Sequence, residues 1–557
     1  MGVRYTPKKD KFGRYIMKMS HHNLVKATAL VCAAAMTTAL AGCGGGSSAS
    51  SAASTPASSD FVYDGTGPIT DREGVTLTAL AQASYYTNVD LTQAEIVKRV
   101  QQGAGVSVDY TLISPTNYAD TVKPMLAAGS DLPDIVLLPD LDPNQNYIKS
   151  GLFEPLDTHF DEMPNFSKWL DANPSVKASL TASDGHIYYV CGTNVSDTFQ
   201  PCIMYNMKWL KEAGFEEVPS TLDEFTELLR YYKEHDMNGN GDTTDEYPMS
   251  VQASFLQNMF GPAFGLDFGL DKAPGFYVTD DGKVAYSKAE SPEYKEYLTY
   301  LNSLYSEGLL DVDYTTLTRD QIIARFANDQ TGVTFDWGWQ MDMTYSVQLP
   351  YYDGTPETGV SGAKPLTGTH EGYYVARDPI GYLWGVTKAS PNLDLAIRYL
   401  DYAFSDENQD MYCWGIEGES FEVDADGNRK FTEKASDNSW LQQLGINPAQ
   451  VLPARQSTEA TYALVTEWHK DVDQDLIQYM RAPWPFIFAE PEEAEVVSDY
   501  LVDLTTYADE MNVAFITGTK PLSEYDNYLE TLKSMHLDDL LNVYTAQYER
   551  YKSAGSN

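Results

Sequence analysis

From Val75 onward the apolar positions fall into short runs whose period keeps changing. Val75 to Ala81 reads as a strand, Leu91–Gln102 carries apolar residues at helical spacing, and Val106–Ile113 reads as a second strand. Tyr118–Ala128 then reads as a helix and Asp134–Leu138 as a third strand. Such a βαβαβ run builds a sheet covered by helices. Gly103 and Gly105 suit the end of the first helix, whereas Pro124 removes a backbone donor inside the second and should kink or shorten it. Open α/β sheets bind ligands beyond the carboxyl ends of their strands. That makes Tyr85, Tyr86 and Asp90, which follow the first strand, candidates for a cleft.

A second unit begins at Ile203. Pro219 and the capping box Thr221-x-x-Glu224 start a helix with Leu222, Phe225, Leu228, Leu229 and Tyr232 on one face. Ser390-Pro391 opens another, with Ala396, Ile397, Leu400 and Phe404 inward. The chain shows no internal repeat, and its 557 residues allow two or three domains or one large two-lobed body.

Charge narrows the partners. With 38 Lys and Arg against 80 Asp and Glu, the net charge of −42 repels polyanions over most of the surface, which sets nucleic acid aside. The exception is residues 1–42, where seven cations face one acid. A basic stretch ending at Lys26 precedes the apolar run Ala27 to Leu40, long enough for a signal peptide but short of a bilayer span. It closes in Leu40-Ala41-Gly42-Cys43, which resembles the bacterial lipobox, where cleavage before the cysteine exposes a residue that is diacylated on sulfur. Residues 43–60 follow as a Gly/Ser/Ala tether suited to holding a folded body off the bilayer. Met17 and Met19 are alternative starts that keep Lys26 before the apolar core. No later segment reads as transmembrane, so the expected location is the outer face of the cell membrane, held by lipid. Cys191, Cys202 and Cys413 are too few for a disulfide framework; Cys191 and Cys202 flank a short polar loop, where pairing and buried free thiols are both open.

Several segments, in order, are similar to the family 1 extracellular solute-binding proteins of bacterial ABC importers, including their lipoprotein branch. They are Met125 to Ile135, Gly151 to Asp157, Asp184 to Tyr188, Tyr205 to Leu210 with Pro219 to Phe225, Trp414 to Gly418, and Phe515 to Gly518. The resemblance implies an α/β, two-lobed periplasmic-binding-protein-like fold of type II, its lobes joined by hinge strands and closing over a ligand. On that template residues 61–557 form the binding domain, with one lobe at about 61–189 and 386–430 and the other at about 190–385 and 431–557. It also implies a monomer that hands a small solute to ABC permease subunits, with sugars and oligosaccharides the leading expectation. A lipoprotein reporting to a sensor kinase would share the fold. A surface glycoside hydrolase would need two carboxylates about 5–10 Å apart; HExxH, GxSxG, P-loop and zinc-like spacings are all absent from the sequence, so binding without catalysis is expected.

Two groups of residues carry candidate chemistry. Sugar rings stack on aromatic faces while their hydroxyls need carboxylates, amides or Arg. Asp336, Trp337 and Trp339 follow a strand-like segment, the two tryptophans sharing a face if the strand continues. Arg377 and Trp384 flank the expected second hinge, and Trp414 and Glu417 lie in the Gly-Ile-Glu-Gly turn; Trp209 reads as core. Separately, Asp236, Asn238, Asn240 and Asp242 reproduce the D-x-N-x-N-G start of an EF-hand loop, with Asp245 and Glu246 as the acids that could close a shell around structural Ca²⁺. Tyr247 occupies the twelfth position, which excludes a complete EF-hand. A solvated Asn/Gly turn is the alternative.

The lipobox sets a test. Cys43→Ala should release the protein from membranes or block its processing, and fractionation with mass measurement would show unchanged retention and mass if Cys43 is not the anchor.

Overall fold

The alternating amino-terminal run folds as its periods require. Thr76–Gln82, Ser107–Ile113 and Ile135–Leu137 are strands, with helices Glu95–Ala104 and Tyr118–Ala128 between them. The computed structural model describes residues 61–84, 89–139, 146–195, 198–270 and 275–555. The signal segment, Cys43, the tether, Tyr85 and Tyr86 lie outside the described residues. Pro124 does not shorten its helix, which runs unbroken to Gly129 in the left-handed cap conformation. Pro124 is exposed, so the carbonyl it leaves without a donor is on the wet face.

Thr76–Gln82 pairs in parallel with both Ser107–Ile113 and Ile135–Leu137. The first sheet is completed by Ile380–Val386, inserted antiparallel between Ile135–Leu137 and Tyr189–Thr193. A second sheet has the order Val360–Ala363, Pro201–Asn206, Thr331–Trp337, Tyr247–Met249. Each sheet has its own apolar core. Leu80, Val136, Phe166 and Leu400 belong to the first, and Tyr205, Trp209, Phe225, Phe335 and Phe515 to the second. Helix Leu222–Glu234 carries the expected capping box at Thr221 and buries the expected face. Helix Leu393–Ala403 likewise turns Ala396, Ile397 and Leu400 inward.

The division of the chain between lobes differs from the expectation, which placed 380–385 and 431–454 in the second. Ile380, Leu383 and Trp384 pack in the first core, and so do Leu441, Ile446, Val451, Leu452 and Ala454. Strand pairing over a long sequence separation decides this, and periodicity carries no record of it.

Three crossings between the lobes lie side by side. Thr193 donates its N–H to Ala454 O at 3.0 Å, and Gln456 donates to Thr193 O at 3.0 Å. Asn194 N–H donates to Pro379 O at 3.0 Å, and Arg377 N–H to the Gln200 side-chain oxygen at 2.5 Å. Gly192 is required here, since a Cβ would stand 2.7 Å from Ala454 O. On the second-lobe side the crossings are anchored by buried carboxylates. Asp473 accepts from Phe199 N and Tyr462 OH, while Asp342 accepts from Thr466 and from His469 Nδ1 at 2.6 Å. Burial would raise the Asp342 pKa, but the bonds from His469 and Thr466 hold it below the ordinary carboxylate value.

Cys191 and Cys202 are buried thiols, each in a strand of a different sheet and neither in a disulfide, so the pairing alternative is not realised. Helices Pro491–Ile516, Tyr525–Ser534 and Leu537–Gly555 close the second core, with Tyr544 stacked on Phe276 at 4.0 Å. The last helix also packs on Pro174–Leu180 of the first lobe. Among the described residues no helix is long and apolar enough to cross a membrane.

Candidate functional site

A cavity of about 460 Å³ opens where the first sheet's strand ends meet the crossings. From the first lobe it takes Gln82, Tyr118 and Leu137 to Pro139; from the crossings, Asn194, Arg377, Asp378 and Ile380 to Leu383. Leu270, Val497, Tyr544 and Gln547 face it from the second lobe, with Trp484 and Phe486 on the segment that returns to the first core. This is the place where an open α/β sheet receives a ligand, because the loops beyond its strand ends converge there.

The lining is aromatic and amide-rich. Trp484 packs edge-on to Tyr544 at 5.9 Å and tilted to Tyr548 at 5.7 Å, giving a braced indole wall. Tyr118 donates its hydroxyl to Leu137 O at 2.8 Å, and burial pushes its pKa far above the ordinary phenol value. Arg377 is half-buried, with its guanidinium 5.4 Å from the centre of the Trp337 ring. It forms no ion pair among the described residues. Asp378, the one carboxylate among the described lining residues, accepts the Ile380 N–H at 2.7 Å. Aromatic faces beside unpaired donors bind and orient a polar ring molecule; two opposed carboxylates of the kind glycoside hydrolysis uses are not gathered among these residues.

Of the residues singled out from sequence, Arg377 lines the cavity and Trp337 backs it. The others among the described residues are placed elsewhere. Asp90 is exposed and accepts from Thr92 N–H at 3.0 Å and its hydroxyl at 2.7 Å, capping the turn Leu91–Gln93. Asp336 is 1% exposed and fully engaged, receiving a forked pair of bonds from Arg319 at 2.7 and 2.6 Å and the Tyr345 hydroxyl at 2.6 Å. The strand ends at Trp337, and Gly338 turns the chain by donating to Phe199 O and Gln200 O, so Trp339 does not share its face and stands 49% exposed. Trp384 is 1% exposed in the first core. Trp414 stacks on Phe431 at 4.9 Å in a small separate cluster, and Glu417 is exposed beside it. Gln82, Tyr118, Tyr382, Trp484, Tyr544 and Gln547 were not anticipated. Trp484 had a signal: it lies between Pro483 and Pro485, a stretch that cannot run as a helix interior or a central strand, so its ring is not carried on an element's own buried face.

The Asp236–Glu246 loop is folded around its own oxygens. Asn240 N–H donates to Asp236 Oδ1 at 3.1 Å, and Gly241 N–H to Asp236 Oδ2 at 2.7 Å. Asn240 Nδ2 donates to Asp245 Oδ2 at 2.8 Å, and Met237 N–H to Glu246 Oε1 at 3.0 Å. Asp242 instead turns to Thr244, accepting from its N–H and hydroxyl. Among the described residues no three His, Cys, Asp or Glu side chains are gathered as a ready-made cluster. Yet Asp245 Oδ1 and Glu246 Oε2 are buried with no partner there, and burial, opposed by the Met237 N–H bond, raises the Glu246 pKa. Two orphaned carboxylate oxygens beside amide oxygens fit a hard cation.

Residues 85–410, more than half of the chain, match the family model described as bacterial extracellular solute-binding protein. The chain belongs to this family. This solute-binding protein is 28% identical over 555 residues to the fructooligosaccharide ABC transporter substrate-binding protein FusA of Streptococcus pneumoniae, covering 94% of this chain and 98% of FusA. It superposes on FusA in complex with kestose with a TM-score of 0.69 at 24% identity, over 86% of this chain and 99% of the other. Alginate-binding protein AlgQ2 without calcium ion gives 0.70 at 21% identity, over 86% and 99%. The FusA EF-hand mutant in complex with fructo-nystose gives 0.70 at 23%, with the same coverage. These superpositions establish the two-lobed fold.

The burial of Trp384 sets a test within that fold. Trp384→Ala should cost about 3–5 kcal/mol of stability through the cavity it leaves, read as a lower denaturation midpoint. A stability close to wild type would return Trp384 to the candidates for ligand contact.

Proposed function

We propose that this solute-binding protein captures a short oligosaccharide between its lobes and delivers it to ABC permease subunits, tethered outside the cell through a lipid on Cys43. The observation that carries the reading is the cavity itself, lined from both lobes, with Trp484 as a braced stacking wall and Arg377 a guanidinium with no ion pair among the described residues. A molecule that touches both lobes binds the closed form better than the open one and shifts the equilibrium towards it. The names of FusA and AlgQ2 as sugar-binding proteins support carbohydrate as the ligand class. Binding alone is the reading; the cavity's one described carboxylate is engaged with backbone.

Thermal-shift screening of the purified protein against kestose, maltotriose, raffinose and trigalacturonate tests it. A panel sugar should raise the unfolding midpoint and, in small-angle scattering, reduce the radius of gyration. Trp484→Ala should then weaken that sugar by about 2–4 kcal/mol, on the scale of hot-spot aromatics. No response to any panel sugar would overturn the carbohydrate reading.

We infer further that the Asp236–Glu246 loop holds structural Ca²⁺ through Asp236, Asn238, Asn240, Asp245 and Glu246, with Asp242 at its edge. The orphaned oxygens of Asp245 and Glu246 support this, as does the naming of an EF-hand in FusA and of calcium in AlgQ2. Bound cation would neutralise the buried carboxylates and rigidify the loop. Calcium should therefore raise the unfolding midpoint over that in excess EDTA, by about 2.7 kcal/mol of stability at a hundredfold excess over Kd. Since the raised pKa of Glu246 means a proton competes for the same oxygen, the gain should shrink as the solution is acidified. Equal midpoints with Ca²⁺ and EDTA at neutral pH would remove the site.

A further inference from the structure

Among the described residues, the buried side-chain nitrogens and oxygens without a hydrogen-bond partner are scattered through both cores. Gln82 Oε1 is the one that belongs to a residue lining the cavity. Gln82 is the last residue of Thr76–Gln82 and is 8% exposed. Its backbone is held on both sides, by register with Ile113 and by its N–H donating to Gln450 O at 3.2 Å. The side chain is thus rooted at the strand end, at the close of an otherwise apolar run, with a strong acceptor withdrawn from water and met by no partner among the described residues. Such a group destabilises the fold unless something pairs with it.

We propose that Gln82 Oε1 is a ligand contact, an acceptor for a hydroxyl of the bound molecule, kept unpaired in the free protein at a cost to its stability. The inference rests on the oligosaccharide reading for the identity of the hydroxyl and adds the residue that reads it. Arg377, on a neighbouring crossing, brings a guanidinium with no ion pair among the described residues to the same cavity. An acceptor on one wall and a donor on another suit a hydroxyl-bearing ring, whose O–H groups both give and accept; a ligand carboxylate placed against Gln82 Oε1 would instead set acceptor against acceptor. Discrimination by a buried polar group is strong because the wrong ligand leaves it unpaired. Gln82 is therefore a specificity-determining residue for hydroxyl-bearing ligands.

Gln82→Met, close in volume but without the amide, separates this role from a structural one. A structural amide, once removed, lowers the stability of the free protein. A ligand acceptor does the reverse: the midpoint without sugar should rise by about 2 °C as the unmet oxygen disappears. Titration with kestose and with every other panel sugar that shifts wild type should show an affinity about 10-fold lower or worse. Gln82→Leu serves as the second variant and should move both readouts the same way. A free-protein midpoint that falls in both variants overturns the proposal, as does an unchanged affinity for the sugars that wild type binds. A midpoint that rises while no panel sugar binds wild type supports the unmet acceptor and overturns the carbohydrate reading alone.

Discussion

The structure depends on one long-range pairing, the insertion of Ile380–Val386 antiparallel into the middle of a sheet begun by Thr76–Gln82. Without that strand Tyr189–Thr193 has no neighbour in the sheet, and the first core loses Trp384 and Leu383. The first lobe is therefore incomplete until the chain has built most of the second and come back. The same strand begins in the cavity, where Ile380 to Leu383 form part of the lining. Closing the first sheet and positioning this wall of the cavity are one event.

The crossings show how such a body moves without coming apart. They are bonded to one another through backbone groups and short amide side chains, and they are fastened to the second lobe by Asp342 and Asp473. The crossings are bonded side by side, one neighbour of Tyr189–Thr193 running antiparallel to it and the other parallel, and all three lie at element ends. Hinge closure needs a small change spread over a few residues at element ends, with each core moving as a unit.

The acid excess takes on a different meaning once the fold is known. Asp134 accepts from Thr78 N–H at 2.7 Å and from the hydroxyls of Thr78 and Ser390, joining two strands and a helix start in the first lobe. Asp401 gathers Tyr63, Asn165 and the Phe166 N–H, and burial lifts its pKa to about 6. Asp329 gathers Trp209, Lys208 and Tyr351 in the second lobe. Many acids are thus internal fasteners for backbone and hydroxyl donors. Abundance near an aromatic is a poor guide to ligand contact for that reason, and Asp336, taken up by Arg319 and Tyr345, is the clearest case.

What the sequence determined by itself was whatever depends on neighbours within a helical turn or a strand. The βαβαβ run, the capping box at Thr221, the buried face of Leu222–Glu234 and the oxygen-lined turn at Asp236 all follow from local spacing. The order of several short motifs was enough to indicate the family and its two lobes. The tertiary structure alone decided which chain segments belong to which lobe and which side chains share the cavity. Gln82, Arg377, Trp484 and Gln547 meet there from points far apart in the chain. Nothing in the period of any one segment records that meeting, because the geometry of a cleft is set by how strands pair and helices pack over long separations. Trp384 and Trp484 make the contrast plain. One lies on a sheet strand inside the first core; the other is held between prolines, braced on one side by Tyr544 and Tyr548, and becomes wall.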